Sequence, residues 1–367
     1  MPQRVGRAQS RFSMNSIMTA NWTPPLPADE RNYPMNCWWV AALCDEVGDA
    51  LLGRWLCDTP VVLYRKQDGT IAALEDRCPH RSAPLSLGCR KGDAIECGYH
   101  GFTFAHDGSC IRVPTMNTPP SAMRVRTFPV IESFPFVWIY LGDPAKLTDV
   151  PALHKLDWAS DPAFAKMHGR IDIDANFMLL KENVLDLTHF GFVHAKTFKI
   201  TDWVEAPRLT GEGDVCGFHQ SFTASPLPPV FGEPLGLKPG TPYDRENYGS
   251  FVSPAIQIAA VDLIEPSTKQ MTGQFRICHA TTPIDRNHMH YFWAAGRNYG
   301  TSPEEMADFR NLTERGFDED KVIIEAIQKV HDRDPRPTDQ LEKSVKSDGP
   351  SVQARRIMAR WMARETA

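Results

Sequence analysis

The sequence has no run of 18 apolar residues, which removes a membrane-spanning helix as its organising feature. The nearest approach, FPFVWIYLG (134–142), is short, aromatic and β-branched, and reads as a buried strand. No secretory apolar segment stands at the start, and the nine cysteines are odd in number. A disulfide framework is therefore not expected, and a reducing, cytoplasmic setting is. Excess positive charge is also missing: a net charge of −5 gives no field that favours nucleic acid. There is no GxGxxG and no flavin fingerprint, so a nicotinamide-dependent step would belong to another protein. Acidic residues are absent from positions 1–27, which carry Arg4, Arg7, Arg11 and several serines. That composition suits a transit peptide; a flexible extension over 1–32 is the simpler expectation, with Met14 and Met18 as alternative starts.

What the chain does have is two Cys/His pairs. CPHRSAP (78–84) supplies Cys78 and His80, and CGYHG (97–101) supplies Cys97 and His100. Two thiolates with two imidazoles suit tetrahedral zinc or a Rieske [2Fe–2S] cluster. Zinc fingers usually pair Cys with Cys and His with His along the chain, whereas here each segment brings one of each. A diiron cluster needs that order, because each loop must reach both irons. Pro79 stiffens one loop, and Gly98 and Gly101 let backbone come close on the other. Cys89 and Cys110 fall outside the pattern and read as small buried hydrophobes.

The surrounding residues 33–147 read as an all-β domain. VVLYRKQDGTIAAL (61–74) and GFTFAHDGSCIRV (101–113) each carry an Asp-Gly turn between strand-like runs. Residues 148–367 read as a second domain with segregated strands and helices, an α+β pattern. FMLLKENVLDLTHF (177–190) reads as a helix, TGQFRICHATTP (272–283) and HMHYFWAAGRN (288–298) as antiparallel strands, and 302–331 as two helices. The six prolines within 223–250 predict a long loop, either a lid or a surface excursion. SVQARRIMARWMARE (351–365) is a basic amphipathic helix, expected to pack on its own domain rather than on a membrane surface.

A second metal set lies in ENVLDLTHFGFVH (182–194). On a helix Asn183, Asp186 and His189 share a face, while His194 reaches the same metal only if the helix ends or bends, for which Gly191 is placed. Two imidazoles and one carboxylate form the facial triad of non-heme Fe(II) oxygenases. In FDEDKVIIEAIQ (317–328) the stripe Phe317, Asp320, Ile324 and Ile327 carries a carboxylate among apolar residues. Asp320 is thus the expected third ligand and Asp318 the runner-up, with Asp318 and Glu319 pointing away. His279 stands on a predicted strand where it can face a substrate, or equally sit as a satisfied core histidine; His219, His288 and His290 read as structural.

CPHRSAPLSLG with CGYHGFTF, followed by DxxHxxxxH, resembles the Rieske non-heme iron oxygenases over about residues 33–367, and most closely the homotrimeric vanillate and dicamba O-demethylase group. Many relatives have Trp where this chain has Phe102, a change that keeps an aromatic ring and loses an N–H donor. The resemblance implies a helix-grip catalytic domain, an antiparallel sheet with helices, behind the Rieske domain. It implies a [2Fe–2S] cluster on Cys78, His80, Cys97 and His100, and Fe(II) on His189, His194 and Asp320. It implies that Asp186 accepts from His189 and from His100 of a neighbouring subunit in a trimer, with Asn183 close to the iron. The partners implied are an NAD(P)H-dependent reductase or ferredoxin, O₂ and a small aromatic substrate, which is hydroxylated or O-/N-dealkylated; ring cis-dihydroxylation is the alternative, and a non-catalytic electron carrier or zinc module a more distant one.

Overall fold

The computed structural model describes residues 23–203, 205–337 and 341–366. The expected extension lies mostly outside them. Ten strands build the first part: β1 (Trp38–Leu43), β2 (Leu52–Leu56), β3 (Thr59–Arg65), β4 (Ile71–Glu75), β5 (Cys89–Lys91), β6 (Ala94–Glu96), β7 (Thr103–Phe104), β8 (Cys110–Arg112), β9 (Val130–Ser133) and β10 (Phe136–Tyr140). They form three small antiparallel sheets ordered β1-β10-β9, β2-β3-β4 and β5-β6-β7-β8. Both Asp-Gly turns close hairpins, β3 to β4 and β7 to β8, with Gly69 and Gly108 at positive φ. β10 is the buried strand expected from FPFVWIYLG, all five residues inside. Cys89 does not follow expectation: β5 is a short strand on the rim of its sheet, and the thiol is exposed.

The second part is built on one seven-stranded antiparallel sheet. Its strands are β11 (Ala165–Ile173), β12 (Arg208–Thr210), β13 (Cys216–Pro226), β14 (Pro242–Phe251), β15 (Ile256–Ile264), β16 (Met271–Pro283) and β17 (Met289–Arg297), in the order β11-β17-β16-β15-β14-β13-β12. Helices α1 (Asp157–Ser160), α2 (Phe177–Leu185), α3 (Pro229–Gly232), α4 (Pro303–Arg333) and α5 (Gly349–Thr366) accompany it. The predicted proline-rich loop is shorter than expected. Pro226 and Pro242 face each other at the ends of β13 and β14, where a missing N–H breaks no interior ladder bond, so 223–226 and 242–250 are strand and the connection between them carries the short helix α3. The two helices expected in 302–331 are one, because nothing in TERGFDED interrupts the i→i−4 ladder; Ser302 and Glu305 close its start as a capping box. α5 buries Ala354, Ile357, Met358 and Trp361 against its own domain, as its amphipathic pattern predicts.

Three corrections bear on the site. The helix beginning at Phe177 ends at Leu185, not near Gly191. Asp186 leaves the helix with extended backbone (φ −127°, ψ 98°) and its carboxylate caps a 3₁₀ turn over Leu187–Gly191. On α4 the buried face runs Thr313, Gly316, Phe317, Asp320, Ile324, Gln328, and Ile327 turns outward.

Candidate metal centres and substrate cavity

The 78–83 and 97–102 loops are a matched pair of tight turns. Ser82 N–H donates to Cys78 O at 2.8 Å and Gly101 N–H to Cys97 O at 3.0 Å. Gly101 needs its positive φ of 71°, and a Cβ at Gly98 would meet Leu87 O at 2.9 Å. The turns sort the four side chains: Cys78 and Cys97 are buried, His80 and His100 exposed. The backbone N–H groups of His80 and Arg81 point at the Cys78 sulfur, whose pKa is raised chiefly by burial and also by the Cys97 thiol. The two imidazoles lie edge to face with centroids 4.6 Å apart, and Phe102 stacks on His80 at 4.7 Å and 11°. Two thiols inward, two imidazoles outward and N–H donors aimed at sulfur fit a Rieske cluster better than a tetrahedral ion.

The second set converges just as closely. His189, His194 and Asp320 bring one ligand atom each within 4.8 Å of one another, a group found among the described residues. Asp318, the runner-up carboxylate, is exposed on α4 and takes no part. Asp320 Oδ1 lies 3.1 Å from His194 Nε2 and 3.6 Å from His189 Nε2. It also accepts from Asn183 Nδ2 at 3.0 Å. Both rings are fixed from behind. His189 Nδ1–H donates to the backbone carbonyl of Asp186 at 2.6 Å, and His194 Nδ1–H donates to Glu319 Oε2 at 2.8 Å. That leaves both Nε2 lone pairs facing Asp320, and His189 Nε2 is buried with no hydrogen-bond partner. A divalent cation is what this orphaned donor set fits. Burial pushes the His189 pKa down; for His194 burial acts the same way, but Asp320 and Glu319 outweigh it and the net shift is upward.

Glu319 was expected to point away and instead holds His194, with Thr197 Oγ1 donating to its other oxygen. Asp186 also differs in detail. Its carbonyl, not its carboxylate, takes the His189 proton; the carboxylate accepts from Thr188 N–H (2.9 Å), Thr188 Oγ1 (2.7 Å) and Ser347 Oγ (3.2 Å). Gly316 has no Cβ where the ring of Phe198 crosses α4, and Phe198 in turn packs edge-on against His194 at 5.0 Å.

A cavity of about 140 Å³ opens from the triad, lined by apolar and aromatic side chains from the sheet, α4 and the 187–203 segment. His279 on β16 faces it, 7 % exposed, and shares a 2.7 Å hydrogen bond with the Tyr291 hydroxyl. Burial lowers the His279 pKa to about 3, so the ring is neutral. His219, His288 and His290 each pair with a carboxylate, Glu246, Asp285 and Asp172 respectively, outside the cavity.

Residues 37–135 match the Rieske [2Fe–2S] domain and residues 173–364 the vanillate O-demethylase oxygenase C-terminal domain. The chain belongs to the Rieske non-heme iron oxygenases. It is 36% identical over 303 residues to the dicamba O-demethylase oxygenase component of Stenotrophomonas maltophilia, covering 80% of this chain and 88% of that one. It is 31% identical over 351 residues to a vanillate O-demethylase oxygenase subunit of a Pseudomonas species, covering 91% and 96%. Dicamba monooxygenase bound to 3,6-dichlorosalicylic acid superposes with a TM-score of 0.83 at 30% identity, covering 91% and 98%. This oxygenase is therefore the terminal component of a multicomponent system, an oxidoreductase supplied with electrons by a reductase or ferredoxin. Its cofactors are a Rieske [2Fe–2S] cluster and a mononuclear non-heme iron. No helix among the described residues is long and apolar enough to cross a membrane.

Proposed function

We propose that this oxygenase removes a methyl or other small alkyl group from the oxygen or nitrogen of a single-ring aromatic compound. The observation that carries this reading is the joining of an aromatic-lined cavity to the His189–His194–Asp320 triad. Its volume of about 140 Å³ is close to the roughly 150 Å³ that holds one benzene ring in an apolar protein cavity. The dicamba, vanillate and chloroacetanilide relatives are named for O-demethylation and N-alkyl cleavage, which supports dealkylation over ring dihydroxylation.

In this reading Cys78, His80, Cys97 and His100 hold the cluster, and His189, His194 and Asp320 hold the iron. An iron held there supplies O₂ activation for attack on a substrate C–H bond. The chain's own residues do the rest. The Asp186 carbonyl and Glu319 keep both Nδ1 positions protonated, so both Nε2 atoms serve as ligands. Asn183 holds the Asp320 carboxylate in place. Phe190, Phe198 and Phe317 exclude water around the reacting carbon. Neutral His279 offers a hydrogen bond to a polar substituent on the ring. A hydroxylated O-methyl group is a hemiacetal; its C–O bond breaks to give formaldehyde and a phenol.

Electrons pass between subunits in this reading. The exposed His80 and His100 tip of one chain meets the Asp186 region of the next in a homotrimer closed head to tail. Exposed Tyr99 beside the tip and Phe192, 87 % exposed beyond His189, are the apolar surfaces such a contact would cover. Nine cysteines with no disulfide among them suit a reducing cytoplasm. The test is a screen of methoxy- and N-alkyl-aromatics with a surrogate reductase, reading formaldehyde. Under ¹⁸O₂, a product carrying two labelled atoms and no formaldehyde would overturn the dealkylase reading.

A further inference from the structure

The cavity is lined mainly by apolar and aromatic side chains, and away from the triad and His279 it holds one pair of buried polar side chains with unpaired donors. Arg245 and Asn247 stand two residues apart on β14, so both side chains lie on the sheet face that lines the cavity, on the same face as Val261 and Phe275 of the neighbouring strands. They are 2 % and 3 % exposed. The Arg245 guanidinium is wedged against the Phe222 ring, 4.0 Å from its centroid, and Nη2 donates to Asp202 Oδ2 at 2.7 Å. Its Nε and Nη1 have no hydrogen-bond partner, and neither has Asn247 Nδ2. Buried donors in native proteins are almost always satisfied, and Nε or Nη1 together with the second Nη2 hydrogen makes a fork that fits two oxygens of one anion.

We propose that Arg245 and Asn247 are the substrate's anchor, and that they bind an oxyanion, a carboxylate or a sulfonate, carried on the aromatic ring. This rests on the reading that the cavity holds the substrate. Asp202 anchors the guanidinium without saturating it: one Nη2 contact is used, and although the Asp202 side chain is 27% accessible its Oδ1 is itself buried without a partner. Burial still lowers the Arg245 pKa despite Asp202, so a second anion is favoured there. The anchor sits on the sheet while Asp320 sits on α4, so the ligand is gripped on one wall and presented to the metal on the other. Selection follows from the unpaired donors: a neutral ring leaves them unsatisfied, an anion satisfies them.

The experiment is isothermal titration calorimetry on the full-length, iron-loaded protein with 4-methoxybenzoate, 4-methoxybenzenesulfonate and the neutral 4-methoxybenzamide. At least one anion is expected to bind tenfold or more tightly than the amide, and the tighter of the two names the oxyanion geometry. Arg245→Met is expected to abolish the preference. Asn247→Asp, nearly isosteric and leaving the Arg245–Asp202 pair intact, should weaken the anions tenfold while sparing the amide; it stands as the test if Arg245→Met lacks normal cluster absorbance. Equal binding of anion and amide by the wild type, or a preference that survives Asn247→Asp, overturns the proposal. Because binding is read without turnover, an anion preference with no formaldehyde from any ligand would sink the dealkylase reading alone.

Discussion

Glu319 Oε2 lies 2.8 Å from His194 Nδ1, while the very next residue, Asp320, lies 3.1 Å from the same ring's Nε2. Two consecutive carboxylates of α4 thus grip one imidazole from opposite edges. The first fixes where its proton is, and the second faces its lone-pair side, where the proposed iron would be held.

Removing the rear grip should cost metal rather than fold. Glu319→Ala is expected to weaken iron binding about 10–100-fold, the usual effect of losing an imidazole's outer partner. Iron retention against a chelator checks it, with cluster absorbance unchanged as control. Glu319→Gln keeps an acceptor and should lose less. Equal iron retention in all three proteins would contradict the role given to Glu319.

Asp186 and Asp320 should fail in different ways. Asp320→Ala should lose mononuclear iron and leave the reduced cluster's EPR signal alone. Asp186→Asn keeps an oxygen to cap Thr188 and leaves the backbone carbonyl on His189, so both metals should load and the cluster should reduce normally. Turnover should nonetheless fall about 100-fold or more if, as proposed, the Asp186 carboxylate carries electrons between subunits. Wild-type turnover in this variant would remove Asp186 from the electron path.

His279 should act by hydrogen bonding and not by charge. With its pKa near 3 through burial, it is neutral above about pH 4. The KM for a methoxyaromatic that does not itself titrate should carry no step between pH 5 and 8. His279→Leu should raise KM about tenfold, the worth of one hydrogen bond to a ligand, with iron content preserved. A KM that rises as an imidazolium is lost through this range would count against it.

Lys181 gives a stability prediction. Its side chain is wholly buried, with Nζ 5.5 Å from the Phe251 centroid and no hydrogen-bond partner. Burial lowers its pKa from 10.5 to about 7. Between those values the unfolded chain binds a proton that the folded chain does not, so stability climbs as pH rises from 7 to 10.5 and is at its lowest below 7. Lys181→Met should raise the melting temperature by several degrees at pH 7, an effect of a few kcal/mol at about 1.4 kcal/mol per pKa unit. The gain should shrink towards pH 10. A gain that is the same at both pH values would mean packing, not charge burial, is responsible.

The candidate metal ligands were legible because the chemistry restricts them to a few residue types at short spacing: Cys78 with His80, Cys97 with His100, His189 with His194. The hairpins were legible because Asp-Gly marks them. Glu319 was hidden by treating α4 as a cylinder with one buried stripe: it sits beside that stripe, half-buried, and reaches sideways to a ring edge. The helix break at Asp186 was hidden because no Gly or Pro marks it. The apolar residues keep a helical rhythm through Leu187 and Phe190, and the break is made by the Asp186 carboxylate bonding to Thr188. Arg245 and Asn247 were missed because their strand carries Pro242 and reads as loop; only β-pairing puts the two side chains on one face.

The hydrophobic core does not respect the order of the two sequence families. One continuous cluster runs from Tyr33 and Trp39 through β10 and the inner faces of β16 and β17 to Trp361, with Thr282 Oγ1 bonded to Val40 O at 2.7 Å. The iron–sulfur tip has a separate small core around Leu74, Ile95 and Phe104. The mechanical seam therefore lies inside the Rieske fold, between its body and its tip. Expressed apart, the two family segments would each carry part of one torn interior, whereas the tip closes around an interior of its own.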